Sequence, residues 1–109
     1  MTNTNLPQKK CKPCEGCTQP LSNEEADNFL KQIPSWSIKN GRVFKQFKFK
    51  DFKKAVEFVN KVADIAEEEN HHPDITISYN KVGIELWTHA IKGLSENDFI
   101  LAARIDNIN

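Results

Sequence analysis

The sequence has no excess of charge of either sign and no long apolar run, and both absences narrow its function. Lys plus Arg and Asp plus Glu each count 15 in 109 residues, so the formal net charge is zero. Proteins that bind a phosphate backbone usually carry a dense positive field, so we expect no nucleic-acid binding. The apolar runs fall far short of the roughly 20 residues that span a bilayer, so we expect no membrane segment.

Cysteine is also scarce, and its three copies are confined to the first 17 residues. An odd number of cysteines argues against a disulfide framework. The N-terminus has no apolar core of a secretory signal, so we expect a cytoplasmic protein. We interpret 1–20 as a polar N-terminal tail and 21–109 as one domain. Cys11, Cys14 and Cys17 have the spacing C-x2-C-x2-C without an obvious fourth ligand, which leaves metal binding and a tail without a metal both open.

The boundaries of the first two helices are marked by capping residues. Ser22 followed by Glu25 is typical of a capping box, and Pro34 ends that pattern. Asp51 is suited to cap a second helix that stops near Asn70. Spacings of three and four predict an apolar stripe on this second helix, formed by Phe52, Ala55, Val56, Val59, Val62, Ala63 and Ala66.

Two hairpins and a third helix complete the pattern. The first hairpin turns near Asn40 and Gly41, and an imperfect alternation of its second strand allows a bulge. Ser95 is a candidate N-cap of the third helix, with Asp98 at the capping-box position. The order αββαββα predicts an α+β fold: a four-stranded antiparallel sheet with helices packed on one face.

The second hairpin brings the histidines together. If Asn80 and Lys81 form its loop, three apolar pairs share one face: Ile75 with Leu86, Ile77 with Ile84, and Tyr79 with Val82. The same register puts His72 opposite His89. The second helix ends beside them, with Glu67 one turn before His71. We therefore predict that both members of the three apolar pairs are buried against the helices, and that a polar, open pocket lies at this end of the sheet.

A cluster of imidazoles is typical of acid–base chemistry. An unperturbed imidazole titrates near ~6.5, so three of them can supply a proton donor and an acceptor at neutral pH. Two alternatives stay open. Histidines at a helix C-terminus can simply cap carbonyl groups, and three histidines can form an open zinc site such as that of a metal-dependent hydrolase.

The spacing of the candidate residues resembles the signature of the pterin-4a-carbinolamine dehydratase family, E-x3-HHP-x5-Y-x9-H-x8-D. The matching residues are Glu67, His71, His72, Pro73, Tyr79, His89 and Asp98. Similar segments in the family include FKQFKFKDF at 44–52, YNKV at 79–82, THAIKGLS at 88–95 and the opening CKPCEG at 11–16. The resemblance covers nearly the whole chain.

The resemblance implies removal of water from a 4a-hydroxytetrahydropterin to give the quinonoid dihydropterin, in tetrahydrobiopterin recycling and without a cofactor. It implies a homodimer or homotetramer. Two pathways stay open: a functional link to an aromatic amino acid hydroxylase, and another use of pterins such as molybdenum-cofactor metabolism. We expect His72 and His89 to transfer protons and His71, tied to Glu67, to be a further acid. Asp98 is expected to orient His89 or to hold a pterin nitrogen.

Three further residues are candidates for binding the substrate. Pro73 sets the backbone direction after the two histidines. Trp36 either stacks on the pterin or belongs to the core, and Trp87 would narrow the pocket. A different class of function also stays open, because animal members of the family stabilise dimers of a homeodomain transcription factor. This chain would then be a binding module.

Overall fold

The computed structural model describes residues 19–108, so the three cysteines of the tail lie outside the described residues. The described chain forms three α-helices, four strands and one short 3₁₀ helix. In chain order these are α1 (Asn23–Leu30), β1 (Ser37–Lys39), β2 (Arg42–Lys48), α2 (Phe52–Glu69), β3 (Asp74–Ser78), β4 (Lys81–Leu86), the 3₁₀ helix (His89–Ile91) and α3 (Glu96–Ile108). None of these helices is long and apolar enough to cross a membrane.

The strands form one antiparallel sheet in the order β1-β2-β4-β3, and the predicted α+β fold is confirmed. The helices cover one face, where alternate residues of the two central strands are buried: Val43, Phe47, Val82, Ile84 and Leu86. Pairing of β2 with β4 runs without a bulge from Val43 to Lys48, which leaves Phe44 on the opposite face. We call this uncovered surface the outer face.

The predicted caps of the first two helices and the first turn are confirmed. Ser22 and Glu25 form a reciprocal capping box. The Asp51 side chain accepts from the Lys54 backbone N–H at 2.9 Å. Asn40 and Gly41 connect β1 to β2, and both have positive φ, as a two-residue hairpin loop of this type requires. These features are local, which explains why the sequence predicts them.

The predicted apolar stripe of α2 is partly wrong, because the buried face of the helix is rotated relative to the predicted one. The buried side chains of this helix are Ala55, Phe58, Val62, Ile65, Ala66 and Glu69. Phe52 and Ala63 are exposed instead. The helix carries apolar residues over more than one face, and contact with the sheet and α3 selects the side that includes Phe58 and Ile65.

The predicted register of the second hairpin is also wrong. Its loop is Tyr79 and Asn80, and Ile75 faces Ile84 while Ile77 faces Val82. Asn80 fixes this loop, because its side chain donates to the Phe49 carbonyl at 2.9 Å and its carbonyl accepts from the Phe49 N–H at 2.8 Å. Relative to the prediction, each residue of β3 pairs with a β4 residue two positions earlier. Because side chains alternate between the two faces with a period of two, every side chain keeps its predicted face.

The hairpin is buried on one strand only. The β4 residues Val82, Ile84 and Leu86 have no exposed surface, whereas Ile77 is 40% and Tyr79 66% exposed. The expectation that both members of each pair are buried is therefore wrong for Ile77 and Tyr79, whereas Ile75 is partly buried against the core. The reason is the strand order, since β3 forms an edge of the sheet.

Candidate functional site

His71 is held against a buried carboxylate. The left-handed residue Asn70 ends α2, and the His71 backbone N–H then donates to the Ala66 carbonyl at 3.1 Å. Its Nε2 lies 2.6 Å from Oδ1 of Asp98, whose side chain is 0% exposed. Asp98 belongs to the first turn of α3. The expectation that His71 pairs with Glu67, and Asp98 with His89, is wrong.

The other oxygen of Asp98 is also occupied. Its Oδ2 accepts from the Thr88 hydroxyl at 2.9 Å and from the Ser95 backbone N–H at 3.0 Å. The Ser95 hydroxyl bonds Thr88 Oγ1 at 2.7 Å rather than capping the helix. A carboxylate with this many donors has a fixed orientation. Thr88 was not identified from the sequence as a site residue. The one feature of the sequence that could have indicated it is its position immediately before His89.

His72 is paired with Glu67 instead, at the surface. Its Nε2 lies 2.6 Å from Glu67 Oε2, and the two side chains are 53% and 78% exposed. The two histidines diverge because the chain turns at Asn70 from helix to extended strand, where successive side chains point to opposite sides. His71 therefore faces the interior and His72 faces solvent.

His89 lies in the 3₁₀ helix rather than on β4, so it does not face His72 across a ladder. If the observed β3–β4 register is extended by two residues beyond the pair of Asp74 and Glu85, Trp87 rather than His89 lies opposite His72. The His89 ring packs on the Trp87 indole, with 4.0 Å between ring centroids. Within residues 19–108, the ring nitrogens of His89 have no hydrogen-bond partner. His89 is exposed in the described part of the chain.

The three histidines belong to one locus. His71 and His72 are neighbours in the chain, and His71 reaches Thr88 through Asp98. Thr88 is followed directly by His89. Over residues 19–108, no three His, Cys, Asp or Glu side chains are grouped so that they could hold a metal ion. The arrangement offers imidazoles in three settings: largely enclosed with a carboxylate, exposed with a carboxylate, and exposed without one.

The remaining candidates divide between the site and the core. Pro73 is half-buried between His72 and the start of β3. Trp36 is buried, packs edge-on against Phe47, and donates through Nε1 to Asp106 at 3.0 Å. Asp106 follows Asp98 by eight residues on α3, about 12 Å along the helix axis. Trp36 thus belongs to the core, away from the histidines.

Comparison with known proteins identifies the family to which the chain belongs. A family model described as Pterin 4 alpha carbinolamine dehydratase matches residues 19–108. A protein of Nitrosospira multiformis named "Putative pterin-4-alpha-carbinolamine dehydratase" is 50% identical over 107 residues, which cover 98% of this chain and 95% of that protein.

Two solved structures are also similar. One is a transcriptional coactivator/pterin dehydratase from Brucella melitensis, with a TM-score of 0.77 and 34% identity over 83% of this chain and 98% of that one. The other is a pterin dehydratase-like protein identified as a RuBisCO assembly factor in the alpha-carboxysome, with a TM-score of 0.56 and 27% identity over 67% of this chain and 84% of that one. The chain therefore belongs to the pterin-4α-carbinolamine dehydratase family.

Proposed function

We propose that the protein dehydrates a 4a-hydroxytetrahydropterin to the quinonoid dihydropterin by histidine acid–base catalysis. The observation that carries this proposal is the set of three imidazoles at one locus in different settings. Such differences allow one imidazole to give a proton while another accepts one. Membership of the family supports the choice of substrate.

The reaction needs two proton transfers and no change of oxidation state. A general acid protonates the 4a-hydroxyl, the C4a–O bond breaks, and water leaves. A general base removes the N5 proton, and the remaining electron pair forms the C4a=N5 double bond. His72 and His89 are the exposed imidazoles, so we assign these two transfers to them. His71, largely enclosed beside Asp98, is the further acid.

The carboxylates have different roles in this proposal. Asp98 fixes the orientation of His71, because both of its oxygens are already bonded. Glu67 restrains His72 from the solvent side, where water screens the pair. Pro73 keeps His72 in an extended backbone next to β3. Trp87 borders the site on the outer face.

The direct test is the rate of dehydration of a synthetic 4a-hydroxytetrahydropterin, after subtraction of the uncatalysed rate. We expect His72→Gln and His89→Gln each to lower kcat by roughly 10²-fold, as loss of a positioned acid or base does. Asn60→Ala, an exposed change on α2, is the matched control. Wild-type turnover in a folded histidine variant would remove that residue from the mechanism.

We place the reaction in tetrahydrobiopterin recycling, coupled to an aromatic amino acid hydroxylase, and we assign a homo-oligomeric state. Support for self-association comes from β3. This strand is an edge of the sheet; Ile77 is exposed on it, and Tyr79 is exposed in the loop that follows. An uncovered edge strand with apolar side chains is suited to pair with the same strand of a second copy.

Binding of another protein is the second candidate function. The same exposed edge favours it, and the two structural neighbours are described as a coactivator and as an assembly factor. The assay separates the candidates. A binding module would give no acceleration above the uncatalysed rate, and substitution of the histidines would change nothing.

A further inference from the structure

The imidazole of His89 is held by an aromatic ring rather than by a carboxylate. Its centroid lies 4.0 Å from that of the Trp87 indole, with the planes inclined at 40°. This contact differs from the pairs that fix His71 and His72, which are direct bonds to carboxylate oxygens at 2.6 Å. The position of the third imidazole therefore depends on where the indole lies.

The indole is in turn fixed by residues of the outer face. The β2–β4 register, continued by one residue, puts Arg42 opposite Trp87. The guanidinium lies over the indole, 4.7 Å from its centroid, and donates to Glu85 Oε1 at 2.9 Å. On the other side, Trp87 Nε1 approaches Asp74 Oδ2 at 3.4 Å. The neighbouring strands β2 and β3 thus both contribute contacts to Trp87.

We propose that Trp87 is a positioning residue for His89, and that Arg42 fixes the Trp87 indole in place. The inference rests on the proposed dehydratase function. It gives Trp87 a task other than contact with the pterin, and it adds Arg42, which no motif in the sequence indicated. Packing against an aromatic ring restricts the orientation of an imidazole without occupying its nitrogens, so both remain available for proton transfer.

The physical consequence concerns orientation. An exposed imidazole without a hydrogen-bonded partner would otherwise sample several rotamers, and most of them would not point at the substrate. Misplacement of a reacting group by about 1 Å can lower a rate by up to roughly 10²-fold. A residue that holds the ring should therefore affect kcat more than KM.

The first measurement follows the histidine ring protons by NMR in protein without an affinity tag. The chain has three histidines, so three sets of ring signals are expected. We expect Trp87→Leu to move the His89 signals, because the indole ring current is lost, and to leave in place those of His71, whose ring lies beside Asp98. Arg42→Gln should move the His89 signals in the same direction by less.

The second measurement is steady-state kinetics on the same variants. Trp87→Leu should lower kcat by about tenfold with little change in KM, and Trp87→Phe, which keeps an aromatic ring, should recover most of the loss. The matched control is Lys39→Gln. It removes another cation that lies over an aromatic ring of the outer face, 5.3 Å from the Phe44 centroid, and should change neither the signals nor the rate.

Specific results would overturn the inference. Unmoved His89 signals in Trp87→Leu would show that the indole does not hold the ring. A raised KM with unchanged kcat would show that Trp87 contacts the pterin instead. If Trp87→Leu fails to fold, the Arg42→Gln variant decides between the same outcomes. Failure of the proposed function is distinguishable, because the wild-type protein itself would then give no acceleration.

Discussion

His71 and Asp98 form the more enclosed of the two histidine–carboxylate contacts, with 2.6 Å between Nε2 and Oδ1 and no exposed surface on the carboxylate. They come from the end of α2 and the first turn of α3, 27 residues apart in the chain. This contact ties the HHP segment to the helix that completes the core. The site is thereby built into the packing of the domain rather than placed on a loose loop.

The first prediction concerns the charge of Asp98. Asp98→Asn keeps the size of the side chain but removes the carboxylate that orients His71, so we expect kcat to fall by roughly 10²-fold. The measurement is kcat for dehydration. Asp106→Asn makes the same chemical change on the same helix beside Trp36 and Lys45, and its kcat should stay at the wild-type value. A folded Asp98→Asn protein with wild-type kcat would contradict the assigned role.

The second prediction compares the two carboxylates. Glu67 and His72 are both largely exposed, and exposed ion pairs contribute about 0–1 kcal/mol. Glu67→Gln should therefore change kcat by less than about tenfold, much less than Asp98→Asn. Glu57→Gln, at another exposed position of α2, is the control. The ranking would be wrong if Glu67→Gln were as damaging as the change at Asp98.

The third prediction concerns stability. Thr88→Val removes the hydroxyl that donates to the buried Asp98 Oδ2 at 2.9 Å, and should lower the free energy of unfolding by about 1–3 kcal/mol. Thr88→Ser keeps the donor and should recover most of this loss. Urea unfolding followed by circular dichroism measures both variants. Thr76→Val, at an exposed position of β3, should have little effect. Equal stability of Thr88→Val and wild type would exclude the bond as a stabilising contact.

The fourth prediction tests self-association through β3. Ile77→Lys puts a charge on the exposed edge and should shift the protein to a smaller species in sedimentation velocity. Thr76→Lys adds the same charge on the outer face of the same strand and should leave the distribution closer to wild type. A wild-type protein that sediments as a monomer would show that this edge does not pair.

The parts of the fold that the sequence predicts correctly are local. The box of Ser22 and Glu25, the cap at Asp51 and the turn at Asn40 and Gly41 each depend on residues a few positions apart. The sequence also predicts correctly which side chains of the second hairpin share a face, since side chains alternate along a strand and the register differs by an even number of residues. These local features together are enough to predict the order of helices and strands and the antiparallel sheet.

The errors come from contacts between distant segments. Asn80 joins the second hairpin loop through its bonds to Phe49, 31 residues away, so the loop lies one residue earlier than predicted. Glu67 was assigned to His71 but pairs with His72, because the left-handed Asn70 turns the chain before His71 and directs that ring to Asp98 of α3. Arg42 could not be placed beside Trp87 without the pairing of β2 with β4.

The most direct test of the central claim is the dehydration of a synthetic 4a-hydroxytetrahydropterin at neutral pH, measured before and after exhaustive chelation. Histidine acid–base catalysis predicts an acceleration above the uncatalysed rate that chelation does not change and that His72→Gln and His89→Gln largely abolish. No acceleration by the wild-type protein, or an acceleration lost on chelation and restored by zinc, would contradict it.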